Sequence, residues 1–333
     1  MNDVIVVRLA NWLGDTVMAL PALAALRAAR PGARITVVGR WAPLLLGQEV
    51  ADILLPYPGG LGERLRFGRP LAADRPDLAI LLPNSLESAL AAAWWRAKRR
   101  VGFDADGRGP LLTDAVTLPS PRRHQVDEYV ALVESAGVEP GDERRPAWRL
   151  PPQAALEAEV ETLFDEVGVS SASRLVGLHL GAAFGRSKLW PAESLGGLAT
   201  RLAKASVSPV LLGAPPDRET ALAVARCADP PPASLVGRDR PALLPWLLAR
   251  LDCLVSGDTG VAHLAAALGV PTVTLFGPTD PRLTAPRGPA ARVLYLAVPC
   301  SPCFLPSCPI DHVCLRSIDV EAVEAQVMTA VGA

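Results

Sequence analysis

The sequence predicts an α/β protein made of two doubly wound domains, each a parallel sheet flanked by helices. Three observations carry that expectation. Short apolar runs of strand length alternate with stretches of helical length along the whole chain. The alternation pauses once, at residues 139–152, a segment rich in Pro, Gly and charge that reads as a linker. A length of 333 residues, half of them hydrophobic, is long for one core and comfortable for two. The domains are therefore set at residues 1–150 and 151–333.

Taken in order, residues 4–7 are a buried strand, which ends in the polar loop 8–15. An Ala- and Leu-rich helix follows over 16–29, stopped by Pro31-Gly32, and residues 34–39 return as a strand, completing a βαβ unit. A third strand is read at 78–82, a helix at 86–99, a strand at 100–103 and a helix at 125–136 closed by Gly137. The second half repeats the theme. Helices are read at 154–167, 191–205, 217–228, 241–249, 261–268 and 320–331. Strands are read between them at 175–180, 209–212, 233–236, 253–256 and 272–276. The last helix is allowed to pack back towards the first domain. In doubly wound sheets ligands gather beyond the carboxyl ends of the strands, which points to the loops at Asp15, Lys188 and Asp258.

Composition narrows the function classes. A net charge of −1 argues against a nucleic-acid binder. Residues 1–150 hold 19 Lys and Arg against 17 Asp and Glu, and the remainder 14 against 17, so neither half is strongly charged. The N-terminus has Asp3 where a signal peptide needs basic residues, and no stretch of about 18 apolar residues exists to span a membrane. A cytoplasmic protein is expected.

Three stretches carry chemistry. Ser256-Gly257-Asp258-Thr259-Gly260-Val261-Ala262-His263 is a strand end, a tight turn and a helix start. Asp258 or Thr259 can cap that helix, its free N–H groups and dipole favour an anion, and His263 follows one turn later. A capped helix with a buried histidine explains the stretch equally well. Gly181-Ala182-Ala183-Phe184-Gly185-Arg186-Ser187-Lys188 also links a strand to a helix, with small residues that let a ligand approach the backbone. Lys188, one of three lysines among thirty arginines, supplies a mobile positive charge suited to phosphate, although a lone lysine is more often just solvated. Trp12-Leu13-Gly14-Asp15 ends the first strand with a carboxylate that either caps the next helix or serves as a general base.

In this order and spacing the three stretches resemble the ADP-heptose:lipopolysaccharide heptosyltransferases, glycosyltransferase family 9. Leu82-Pro83-Asn84-Ser85, Arg99-Arg100-Val101-Gly102-Phe103, His124 ahead of Tyr129 and Phe276-Gly277-Pro278-Thr279-Asp280-Pro281 match the family too. The Asn11–Asp15 and Cys300–Cys314 stretches look closest to its heptosyltransferase II branch. The resemblance implies a GT-B fold, two Rossmann-like domains facing a central cleft. It implies inverting, metal-independent transfer of heptose from ADP-L-glycero-D-manno-heptose to the lipopolysaccharide inner core, with no cofactor beyond that donor. It makes Asp15 the base and sets Lys188 on the donor diphosphate with Ser187 beside it. Asp258 would meet the donor sugar, and Thr259, Gly260 and His263 the phosphates. Glu219 would hold the ribose, although its lead-in Pro215-Pro216-Asp217-Arg218 departs from the family and makes Asp217 an alternative. Asn84, Ser85 and His124 would contact the acceptor, a lipopolysaccharide core or lipid-linked glycan, which implies peripheral contact at the inner face of the inner membrane. No basic amphipathic helix stands out to make that contact.

Other signals count for less. Asp104-Ala105-Asp106 has the form of a metal-binding Asp-x-Asp but sits in a turn-rich loop and reads as structural. Cys300, Cys303, Cys308 and Cys314 lack standard zinc-finger spacing and leave metal, disulfide and reduced thiols open. Trp94 and Trp95 read as core or cleft lining. A dinucleotide-dependent oxidoreductase is disfavoured, because the first loop has only Gly14 in place of Gly-x-Gly-x-x-Gly. A non-catalytic sugar-nucleotide-binding protein and a relative using another nucleotide-sugar stay as rivals.

Overall fold

Both sheets are six-stranded and parallel throughout, each feeding helices back across its faces. The computed structural model describes residues 3–139, 141, 143–170, 173–238 and 240–332, so Pro140 and Asp142 of the expected linker lie outside the described residues. The chain divides into two units, Met1–Arg149 and Leu150–Ala333.

The first unit runs β1 (Val4–Arg8), α1 (Leu13–Met18), α2 (Leu20–Ala29), β2 (Arg34–Val38), β3 (Ile53–Leu55), α3 (Leu61–Asp74), β4 (Leu78–Leu81), α4 (Leu86–Trp94), β5 (Arg99–Asp104), β6 (Asp114–Thr117) and α5 (Gln125–Ser135). Its strand order is β3-β2-β1-β4-β5-β6. The helix expected over 16–29 is two helices, because Pro21 has no N–H to continue the ladder and instead opens the first turn of α2. The helix expected over 86–99 stops at Trp94. Arg96 takes a left-handed φ of 59° and turns the chain into β5. Elements β3, α3 and β6 were not read from the sequence. β3 is three half-buried residues, and α3 carries glycine, proline and arginine through its length. β6 is a short edge strand, DAVT, exposed on alternate residues.

The second unit runs α6 (Ala154–Glu166), β7 (Leu175–His179), α7 (Ala192–Lys204), β8 (Ser208–Leu212), α8 (Arg218–Arg226), β9 (Ala233–Ser234), α9 (Leu244–Ala249), β10 (Cys253–Gly257), α10 (Gly260–Ala267), β11 (Thr272–Phe276), α11 (Pro281–Thr284), β12 (Ala291–Tyr295), α12 (Val313–Arg316) and α13 (Val320–Val331). The order is β12-β11-β10-β7-β8-β9. The central strands β7, β10 and β11 are buried on both faces and mostly apolar, as expected of strands covered by helices. The last helix, α13, packs on α7, β10 and β11 of its own unit. Val323 and Val327 enter the core there, and Arg201 on α7 bridges Glu321 and Glu324.

Candidate active site

In each sheet the connections run one way from a central strand and then reverse. The reversal falls between β1 and β4 in the first unit and between β7 and β10 in the second. The strands flanking such a point send their following loops apart and leave a crevice at their carboxyl ends. Asp15 follows β1, Asn84 and Ser85 follow β4, Lys188 follows β7, and Asp258 follows β10.

In the first unit Asp15 sits in the first turn of α1. Tyr129 on α5 donates its phenolic hydrogen to Asp15 Oδ1 at 2.6 Å. Burial, and then the neighbouring Asp15 carboxylate, raise the Tyr129 phenol well above its ordinary value, so it stays a donor. His124 caps α5 by accepting the Val126 N–H at Nδ1, 3.2 Å, which puts the proton of a neutral ring on Nε2. Asn84 accepts from Arg108 Nη2 at 3.3 Å. Arg108 is itself buried and donates to Phe103 O (2.8 Å) and Ser88 Oγ (2.9 Å). Ser85 caps α4 through its hydroxyl oxygen, which accepts from Ser88 N.

The sequence reading missed a second group here. Arg8, the last residue of β1, is buried, and its Nη2 donates to Asn11 Oδ1 at 2.9 Å. Its guanidinium lies 3.9 Å from the centroid of the Tyr57 ring, and that of Arg64 lies 5.1 Å from it. Tyr57 in turn bonds Glu87, which pairs with Arg64 at 3.4 Å. Burial lowers the Arg8 pKa, and its Nε is buried with no partner. A single charge ending an apolar strand was the available signal.

In the second unit His179, Gly181, Lys188, Thr220, Ser256 and Gly257 line one pocket. Lys188 is not the mobile charge expected. Its Nζ donates to Asp258 Oδ2 (2.5 Å) and Asp258 O (3.1 Å), lies 4.8 Å from the Phe184 ring centroid, and is only 11% exposed. Thr279 donates to the same carboxylate oxygen at 2.8 Å. Nor does Thr259 cap α10 with its side chain; its hydroxyl shares a hydrogen bond with Ser256 Oγ at 3.0 Å, and Ser256 reaches His179 Nδ1 at 3.2 Å. The first N–H groups of α10, beginning at Gly260, are thus not taken by that hydroxyl. His263 is buried one turn further on.

Ser187 is buried and its hydroxyl donates to Leu305 O at 2.6 Å, while its N–H meets Pro306 O at 3.2 Å. The segment around Leu305 and Pro306 therefore fastens the loop that carries Lys188. Gly185 has φ 151°, and an added Cβ would run into the Pro306 carbonyl. Gly185→Ala is expected to lower the thermal midpoint, as differential scanning fluorimetry will show. Glu219 is exposed in the first turn of α8. Asp217 caps the preceding turn by accepting from Ala214 N at 2.8 Å and lies against Gly181 and Gly213.

Burial lowers His179 to about 4 from an ordinary 6.5. Below 6.5 the unfolded chain takes a proton that the folded one refuses until about 4. The stability His179 contributes is thus complete above 6.5 and is withdrawn as pH falls towards 4, on the order of 1 kcal/mol per pH unit. Chemical denaturation across that window should show a shallower pH dependence for His179→Gln.

The six cysteines are free thiols, and among the described residues no group of three or more His, Cys, Asp and Glu is arranged to hold a metal. Asp106 accepts the Leu86 N–H at 3.0 Å, a structural task for one half of the Asp-x-Asp.

Comparison with known proteins agrees along the chain. Residues 64–314 match the model of glycosyltransferase family 9 (heptosyltransferase). Lipopolysaccharide heptosyltransferase 2 of Salmonella typhimurium is 32% identical over 299 residues, 86% of either chain. The same protein of Escherichia coli is 31% identical over 299 residues, again 86% of each. The solved structure of the E. coli ADP-heptose lps heptosyltransferase II superposes with a TM-score of 0.82 at 26% identity, covering 99% of this chain and 98% of that one.

Proposed function

The chain belongs to glycosyltransferase family 9, an enzyme family with the GT-B fold, and from that premise we propose that it moves heptose from ADP-heptose to the lipopolysaccharide inner core by direct inverting displacement. The Lys188–Asp258 pair at the start of α10 is the observation that carries the reading. The Asp15 carboxylate takes the proton of an acceptor hydroxyl. The freed oxygen attacks the anomeric carbon opposite the diphosphate, and the sugar–phosphate bond breaks with its electron pair leaving on ADP. Positive charge grows on the ring and negative charge on the diphosphate. An ammonium has three protons; Asp258 engages two, which leaves one for a phosphate oxygen. With the N–H groups of α10 it supplies the stabilisation that a metal gives in other transferases. His263 adds to that phosphate site. Asn84, Ser85 and His124 face the acceptor. Asp217 fits the ribose role less well than Glu219, since one of its oxygens is committed to Ala214.

An acceptor carried on lipid places the enzyme at the cytoplasmic face of the inner membrane. The test is incubation with ADP-heptose and heptose-deficient core in EDTA, following product mass and ADP release. Addition of one heptose per acceptor sustains the donor and the metal-free mechanism together. Donor binding without transfer moves the acceptor assignment, and transfer restored only by a divalent ion ends the metal-free one.

A further inference from the structure

Helices α3 and α4 cover one face of the first sheet, burying Leu71, Ala89, Ala92 and Trp95 beneath them. The opposite side of α4 carries Leu86, Leu90 and Trp94 at i, i+4 and i+8, exposed by 40, 52 and 46%. On α3, Leu61 and Leu65 are exposed by 73 and 48%. The helices meet where α3 has Gly68; an added Cβ there would stand 2.5 Å from Trp94 Cδ1, so the indole lies at their seam. Of the two tryptophans expected as core or cleft lining, Trp95 is core and Trp94 is half exposed. Single exposed leucines need no explanation, but five large apolar residues on two adjoining helices do.

The charge around them is net positive. Residues 61–98, the two helices with the segments after them, hold six Lys and Arg against four Asp and Glu, net +2 in a chain of −1. Arg66, Arg69 and Arg96 stand exposed beside the apolar stripe. No helix among the described residues is long and apolar enough to cross a membrane.

We propose that the outer face of α3 and α4 docks on an anionic phospholipid bilayer. The leucines and Trp94 enter the boundary between headgroups and acyl chains, and the arginines meet lipid phosphates. The chemistry is that of an interfacial helix, with an apolar stripe, an amphipathic indole and a basic fringe. The positive fringe selects an anionic surface over another protein. Each element is a short helix of the fold, and the basic residues lie on α3 and in the turn after α4. That is why no one segment reads as a membrane helix in the sequence. The proposal takes from the proposed function only the lipid-borne acceptor.

Vesicle flotation needs neither donor nor acceptor, so it fails or succeeds apart from the transfer reaction. The full chain is mixed with vesicles of phosphatidylethanolamine and phosphatidylglycerol, and with vesicles of phosphatidylcholine alone. The wild type should float with the anionic vesicles and not the neutral ones. Leu65→Ser with Leu90→Ser should weaken that partition by roughly tenfold or more. Arg66→Ser with Arg69→Ser should weaken it by a similar factor, and high salt should mimic that change. All these side chains are exposed, and unchanged circular dichroism checks the fold. Wild type that stays unbound, or variants that float as well as wild type, would overturn the proposal. So would light scattering that finds a wild-type dimer split by the leucine changes, since the face would then join two copies of the chain.

Discussion

Asp15→Ala should reduce kcat/KM for heptose transfer by about 10²–10⁴-fold while the Kd for ADP-heptose stays unchanged. The range is what a positioned general base contributes. Donor affinity is spared because every donor residue proposed lies in Leu150–Ala333, while Asp15 lies on α1. Alanine removes two things at once, the proton acceptor and the partner of the Tyr129 hydroxyl. Asp15→Asn separates them, since the amide oxygen still accepts from Tyr129 but takes no proton from the acceptor. Equal loss in both variants assigns the effect to proton transfer. Activity recovered by asparagine would instead make Asp15 a structural partner of Tyr129 and remove it from the chemistry. Tyr129→Phe should cost much less than either, as a loss of positioning only. Steady-state rates on a water-soluble core acceptor, with donor affinity by titration, provide both readouts.

Lys188→Ala should lower kcat by roughly 10²–10³-fold, the usual effect of deleting one donor that faces developing charge. The loss should fall more on kcat than on KM, because the diphosphate gains charge as the bond breaks. The variant also strips the buried Asp258 carboxylate of its cation while Thr279 still donates to it, which is destabilising by itself. Lys188→Ala with Asp258→Asn controls for this. The double variant should regain thermal stability without regaining rate. Rate restored along with stability would show that Lys188 serves Asp258 and not the leaving group. Lys188→Arg should recover part of the rate only, because a planar fork does not reproduce a compact ammonium between Asp258 and the Phe184 ring.

Much of this was legible in the sequence for a physical reason. Strands buried on both faces are mostly apolar runs, so β1, β7, β10 and β11 announce themselves, and with them the loops that hold Asp15, Lys188 and Asp258. Edge elements carry no such requirement, which hid β3, β6 and β12. What the sequence withheld about the site was pairing. Spacing cannot show that Lys188 meets Asp258 across 70 residues, that Ser187 spends its hydroxyl on Leu305, or that Tyr129 reaches back 114 residues to Asp15. Arg8 shows the limit most clearly. It closes an apolar run like any strand-ending charge, and only the ring of Tyr57 beneath it reveals that it is buried.

The contact of Ser187 and Gly185 with Leu305 and Pro306 has a consequence for recombination between relatives. Residues 181–188 and the stretch around 305–306 are distant in the chain but share one surface, and the glycine is required by the far stretch as well as by its own φ of 151°. A chimera that imports the first loop alone inherits a mismatch at the carbonyl of residue 306. Its crossover points should therefore be chosen so that both stretches travel together, as one inheritable cassette.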